Sequence, residues 1–336
     1  AAASFLLLGW YYFRKRPELN ALAAQSENQL VIPVWQLFRD IIIQAIPFIV
    51  IDTATTVFNL LDQATFQPMM RLVYHLDTKQ IDTLYAYFAF NANKLVMIIV
   101  SLASAIAVTV VPILSESLAS HNMRNIRKQL EDSIILFLFI MIPGALGMAA
   151  VAQPLNTLFY SYDQIGTLIL QISAFTAIAL GFFTVISALM QGLSRNRDII
   201  RYYLVGLLVK IIIQLPCIYF LSTAGPLVAT AIGMMVASLM AMYDLEVNFG
   251  IRYVKLLPKI NRILVYSILT YATARLVVYG LNFILNEHSK TQSLLIVAIA
   301  VMAGGAVYVY LALRSRMADL MIGTKAAGLR RKLRIK

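Results

Sequence analysis

At 336 residues, 60% apolar and only 13% charged, with a mean hydropathy of +0.77, the chain is not an ordinary water-soluble domain. Its net charge of +12 needs no nucleic acid, because the basic residues follow a pattern set by a membrane. The single cysteine, Cys217, lies in an apolar stretch and excludes a disulfide framework or a cysteine-bound metal.

The chain opens inside an apolar run, Ala1 to Phe13, closed by Arg14-Lys15-Arg16. A signal peptide carries its charges before the apolar run, so this order predicts the end of a transmembrane helix whose beginning is missing. The sequence is thus expected to be part of a longer protein. Residues 14–40 read as a cytoplasmic connector. Eight full spans follow, at 41–63, 86–112, 133–151, 165–190, 203–221, 226–246, 263–285 and 293–313, each near the roughly 20 apolar residues a bilayer requires. Pro17, Gln67-Pro68, Gln153-Pro154, Ser222 to Pro226, and Pro258 mark expected ends. The fold class is all-α, a polytopic transmembrane helix bundle. His75, His121 and His288 fall in predicted loops, as solvated residues.

Basic loops stay cytoplasmic. With the loop after Phe13 inside, the inner connections and the tail hold 22 Lys and Arg residues, and the outer loops only Arg71, Lys79 and Lys290. This predicts a multi-pass plasma-membrane protein with a cytoplasmic C-terminus. Leu118 to Asp132 reads either as a basic amphipathic helix on the inner surface or as a plain connector.

Three cations remain, and all three fall inside spans: Lys94, Lys210 and Arg275. Such residues usually face a bundle interior or a wet cavity; snorkelling or a structural ion pair is the alternative. In the first full span, Gln44, Asp52, Thr55, Thr56, Asn59, Asp62 and Gln63 recur at spacings that share one helical face. A stripe that polar must line a cavity or another polar helix. The second span shows Tyr87, Asn91, Lys94, Ser101 and Ala105 in a similar stripe. In the fourth span, Ser173, Thr176, Gly181, Thr184, Ser187 and Gln191 serve close packing as readily as a polar path, and Gly233 with Ala237 reads as a packing pair in the sixth. Lys210 and Gln214 stand one turn apart in the fifth span, and residue counting makes Asp52 the expected partner of Lys210. Asp52 and Asp62 are about 15 Å apart along a helix, too far for shared acid–base chemistry; proton or cation coupling suits them better. The sequence has no Walker loop, zinc-protease pattern or nucleophile elbow, and implies no enzyme, cofactor or metal.

The run from Ala45 through Asp52 to Leu61-Asp62-Gln63-Ala64-Thr65-Phe66 resembles the seventh helix of Gram-positive lipid II flippases, in the multidrug/oligosaccharidyl-lipid/polysaccharide exporter superfamily. Asn91 to Met97, then Val111-Pro112-Ile113-Leu114-Ser115-Glu116-Ser117, is similar to the eighth helix, and Gln191-Gly192-Leu193 to the end of the tenth. The resemblance implies a two-lobed exporter fold, of which this chain holds one six-helix lobe at 41–246, a connector and additional helix pair at 247–313, and a basic tail at 314–336. It implies that an undecaprenyl-diphosphate-linked sugar, lipid II foremost, is flipped from the inner to the outer leaflet by alternating access, with membrane lipid and the missing N-terminal lobe as partners. The substrate is expected at Lys94, Asn91, Tyr87, Asn59 and Gln63. Asp52, Asp62, Lys210 and Gln214 are expected to form an ion-coupling site or a cavity ion pair. A flippase for another lipid-linked polysaccharide, or a drug/cation antiporter, stays open as an alternative.

Overall fold

In a computed structural model, the structure describes residues 2–24 and 33–319, with positions 328, 330 and 331, and no strand occurs among them. The chain divides into two units, Ala1–Ile46 and Pro47–Lys336. The first holds α1 (Ala2–Ala24) and the start of α2 (Val34–Asp52). The basic triplet at Arg14 does not end α1, which continues through Pro17.

The second unit begins in the last turns of α2 and continues as α3 (Ala54–Tyr74). A stretch expected as one span, 41–63, is therefore broken at Thr53, whose hydroxyl donates back to the carbonyls of Ile49 and Val50. The chain then forms α4 (Thr78–Ala86), a six-residue π turn (Tyr87–Ala92) and α5 (Asn93–Ala119) as one continuous rod. After a turn at His121 come α6 (Met123–Ala150), the short α7 (Ala152–Phe159) and α8 (Gln164–Gly192). Next are α9 (Asn196–Leu221), a 3₁₀ turn (Ser222–Ala224) and α10 (Gly225–Phe249), and last α11 (Leu257–Leu281) and α12 (Lys290–Arg314).

Six helical stretches among the described residues are long and apolar enough to cross a membrane, and one of them, Asn196–Phe249, is the α9–α10 hairpin. The protein is a multi-pass, all-α membrane bundle. α3 is not among the six, since it carries Asn59, Asp62, Gln63 and Arg71.

Sequence punctuation placed several ends too early. Pro17 and Pro68, expected at ends, lie inside helices, and the span expected to close at Pro112 runs on to Ala119. A proline removes one backbone bond, whereas ending a helix in lipid strands several N–H and C=O groups. Leu118 to Asp132 is not a separate surface helix either: it is the end of α5, a tight turn and the first turns of α6. Asn122 caps that restart by accepting from the Asn125 N–H at 3.1 Å.

The core forms around α8, with α5, α6 and α10 packed against it. α9 lies on α10 at very short range. A Cβ on Gly206 would stand 2.3 Å from the Gly233 carbonyl and 3.0 Å from the Ala237 Cβ, so only glycine permits the approach. The small pair expected in the sixth span does serve packing. Gly250 (φ +68°) ends α10, and Arg127 on α6 donates through Nε to the Phe249 carbonyl at 2.6 Å. The pair α11–α12 docks on α6 and α7, pinned by the Tyr308 hydroxyl, which donates to the Phe139 carbonyl at 2.7 Å.

Candidate functional site

Two adjoining cavities of about 430 and 420 Å³ run along α5, and both are lined by Thr55 and Met97. Together they make one trough bounded by α3, α5 and α8, with α10 closing one half. From Lys94 to Val111 the trough follows α5 for about 25 Å at the usual helical rise.

Its two halves differ. The half around Val111 is lined by hydroxyls and an amide, Ser104, Thr184, Ser187 and Gln191, among apolar residues, with no charge. The half around Lys94 carries Asn59, Asp62, Gln63 and Lys94, with the aromatic rings of Tyr85, Phe88 and Phe90. Those rings also hold the site together: Phe66 meets Phe88 edge to face at 5.0 Å, and Tyr85 meets Phe88 at 5.1 Å, joining α3 to the rod that carries Lys94.

The structure brings Asn59, Gln63 and Lys94 together on the trough wall, and Lys94 is exposed there. It does not bring Tyr87 and Asn91 with them. Tyr87 packs partly buried beside the Phe66 cluster, and the Asn91 carbonyl accepts from the Tyr160 hydroxyl at 3.2 Å. The π turn is the reason. It inserts wider spacing just before Lys94, so a stripe counted at ordinary α-helical spacing crosses from one face to another. Ser101 and Ala105, from the same stripe, are likewise outside the trough lining.

Behind the wall lies the ion pair. Lys210, fully buried near the middle of α9, forms an ion pair with Asp62 Oδ1 at 2.8 Å and donates to the Phe58 carbonyl at 2.7 Å and to Thr230 Oγ1 at 2.8 Å. Gln214 donates through Nε2 to the same Asp62 oxygen at 2.7 Å and to Thr65 Oγ1 at 3.1 Å. Asp62 therefore joins a buried network on one side and the trough on the other. Burying either charge alone would be costly, and the pair with its extra hydrogen bonds offsets that cost.

The partner of Lys210 is thus Asp62, where residue counting pointed to Asp52. The count treated 41–63 as one span bent only at Pro47, and the chain breaks at Thr53. The side chains of Gln44 and Asp52 lie outside the described atoms. Arg275 is exposed on α11. Thr230, the Phe58 carbonyl and the Phe88–Phe90 rings escaped the sequence reading. Thr230 carried a signal as a polar residue inside an otherwise apolar span; a backbone carbonyl carries none.

A second, apolar groove of about 460 Å³ lies on the other side of α5, between α6, α11 and α12. Ile98 and Ile99 of α5, Val297 and Val301 of α12, and a run of glycines line it.

Residues 59–215 match the family model described as MatE. The chain also resembles lipid II flippases. It is 26% identical over 337 residues to the lipid II flippase MurJ of Bacillus subtilis (strain 168), a match covering 99% of this chain and 62% of that protein. A solved lipid II flippase MurJ, in an inward closed conformation, shares the fold with a TM-score of 0.58 at 18% identity, over 82% of this chain and 53% of that one. The chain therefore spans less than two thirds of the length of either relative. Both relatives are lipid II flippases by name.

Proposed function

We propose that the full-length protein flips an undecaprenyl-diphosphate-linked sugar of the lipid II class from the inner to the outer leaflet. The observation that carries this reading is Lys94, an exposed cation in a polar trough that one helix separates from an apolar groove. Such a substrate has two incompatible parts. Its sugar diphosphate needs a hydrated path with a positive charge, and its polyprenyl tail needs a path as apolar as lipid. Lys94 meets the diphosphate by a charge-assisted contact, with Asn59 and Gln63 beside it as neutral donors and acceptors. The groove along α12 receives the tail. The segment 41–246 acts as one lobe, rocking against an N-terminal partner lobe in alternating access, with 247–313 as an added helix pair and 314–336 as a cytoplasmic tail.

The 22-to-3 division of basic residues supports a cytoplasmic C-terminus. Cysteines introduced at Asp163 and Glu287 are then expected to label from outside intact cells, and one at Asn196 is not. Labelling at Asn196 would reverse the orientation.

The MatE match also fits a drug/cation antiporter, for which Asp62 would be the acidic coupling residue. An exposed Lys94 opposes a cationic cargo. Complementation separates the two. In cells depleted of their own lipid II flippase, the full-length protein is expected to restore growth, and Lys94→Ala is expected to abolish rescue at an unchanged membrane level. Lys94→Arg should retain rescue, because the charge persists and the guanidinium fork suits phosphate. Lys94→Gln should fail. Growth of Lys94→Ala like wild type would remove Lys94 from the substrate path.

A further inference from the structure

The π turn delivers one aromatic ring into the trough. Phe66, Tyr85, Phe88 and Phe90 form a cluster whose neighbouring ring centres lie 5.0 to 5.9 Å apart. Phe66 and Phe88 are buried in it, whereas Phe90 is 54% exposed and lines the trough. Tyr85 meets Phe90 at 81°, nearly perpendicular, and so braces it. The two are five residues apart, a spacing that points side chains well apart on an α-helix. The five-residue period of the π turn brings them together, and single π turns of this kind are frequent at functional sites.

The surroundings of Phe90 fit a sugar ring. A pyranose has a face of C–H bonds polarised by its oxygens, and the face of an aromatic ring is negative. The rim of the sugar carries hydroxyl and N-acetyl groups, and the trough wall beside Phe90 offers three amides, Asn59, Gln63 and Asn93. None of these amide side chains is hydrogen-bonded among the described residues, so their donors and acceptors stand free for a ligand. The covalent order of the substrate sets a further requirement. Its first sugar is bonded directly to the diphosphate, so a platform for that sugar must adjoin the cation. Phe90 precedes Lys94 by four residues, about 6 Å along the axis at the usual helical rise, and both line the same half of the trough.

We propose that Phe90, braced by Tyr85, is the stacking platform for the first sugar of the headgroup, with Asn59, Gln63 and Asn93 reading that sugar's hydroxyl and N-acetyl groups. On the sugar-diphosphate reading of the trough, on which this rests, the headgroup divides between two residues. Lys94 holds the diphosphate whatever it carries, and Phe90 distinguishes a glycosylated lipid from a bare one.

The test measures binding to the purified full-length protein in detergent with three probes: undecaprenol, undecaprenyl diphosphate, and undecaprenyl-diphosphate-linked N-acetylglucosamine. The wild type is expected to bind the glycosylated lipid most tightly and undecaprenol least. Phe90→Leu keeps apolar bulk and loses the π face. It should weaken the glycosylated lipid roughly two- to twelvefold, the size of one aromatic contact, and leave the bare diphosphate unchanged. Phe90→Trp should retain the preference for the sugar. Lys94→Ala should weaken both diphosphate lipids alike. Four results overturn the platform: a wild type that binds both diphosphate lipids equally, Phe90→Leu keeping the preference, Phe90→Leu weakening both diphosphate lipids alike, or Phe90→Trp losing as much as Phe90→Leu. The third would make Phe90 a packing contact. A wild type that binds undecaprenol as tightly as either diphosphate lipid would instead remove the flipping reading itself, and the platform with it.

Discussion

The charged half of the trough and the apolar groove have nearly the same volume, about 420 and 460 Å³, and share one wall, α5. Met97 faces the trough, while the next two residues, Ile98 and Ile99, face the groove. Successive residues on a helix point about 100° apart, so a single helix can divide two media if its polarity changes over that angle. The trough offers Asp62, Lys94 and three amides, Asn59, Gln63 and Asn93. The groove has two hydroxyl groups, Thr270 and Tyr308, and each is already donating to a backbone carbonyl, of Tyr266 and Phe139 respectively. No hydroxyl donor is left there to hold water. The contrast shows that one helix can hold a polar and an apolar cavity side by side without an extra domain when the hydroxyls on the apolar side are internally satisfied.

The largest test of this contrast removes a charge from the wet side. Asp62→Leu leaves Lys210 buried without its carboxylate, and losing one partner of a buried pair typically costs about 3–5 kcal/mol. A large fall in Tm and in folded yield is expected. Adding Lys210→Met should recover most of it, because an apolar pair is often as stable as the ion pair it replaces. A double variant as unstable as Asp62→Leu would mean that the network has a role beyond satisfying its own charges.

A smaller effect is expected on the dry side. A Cβ on Gly147 or Gly305 would meet nothing within 4 Å, so both face open space in the groove. Gly305→Leu should therefore fit without a clash and fill part of the groove. Tm should stay within about 0.5 kcal/mol of equivalent stability, as for other substitutions that disturb no packing. Flipping in the complementation assay should fall several-fold. Unchanged flipping would place the tail elsewhere, and the comparison between the two cavities would lose its functional meaning.

The spans of α5, α6, α8 and the α9–α10 hairpin were legible because lipid demands long apolar runs, and those runs are hard to miss. The titratable centre was legible in part. Asp62, Lys210 and Gln214 stood out because charge and amide groups inside apolar helices need a reason. Their pairing was not legible, since it depends on the break at Thr53, which no glycine or proline announces at that position. The π turn was equally silent. Tyr-Phe-Ala-Phe-Asn-Ala reads as ordinary helix, yet it decides that Lys94 faces the trough wall while Asn91 and Tyr87 do not. Proline misled in the other direction, because its usual value as punctuation comes from water, where a helix can end cheaply.

The contact between Gly206 and Gly233 has a mechanical consequence. With two backbones this close, α9 and α10 have no play between them, and Lys210 and Thr230 each stand about one turn from the point of contact. The hairpin therefore behaves as an anvil. One helix is held against it through Phe58 and Asp62, which both meet Lys210. That helix, α3, starts at a ready-made joint, Thr53.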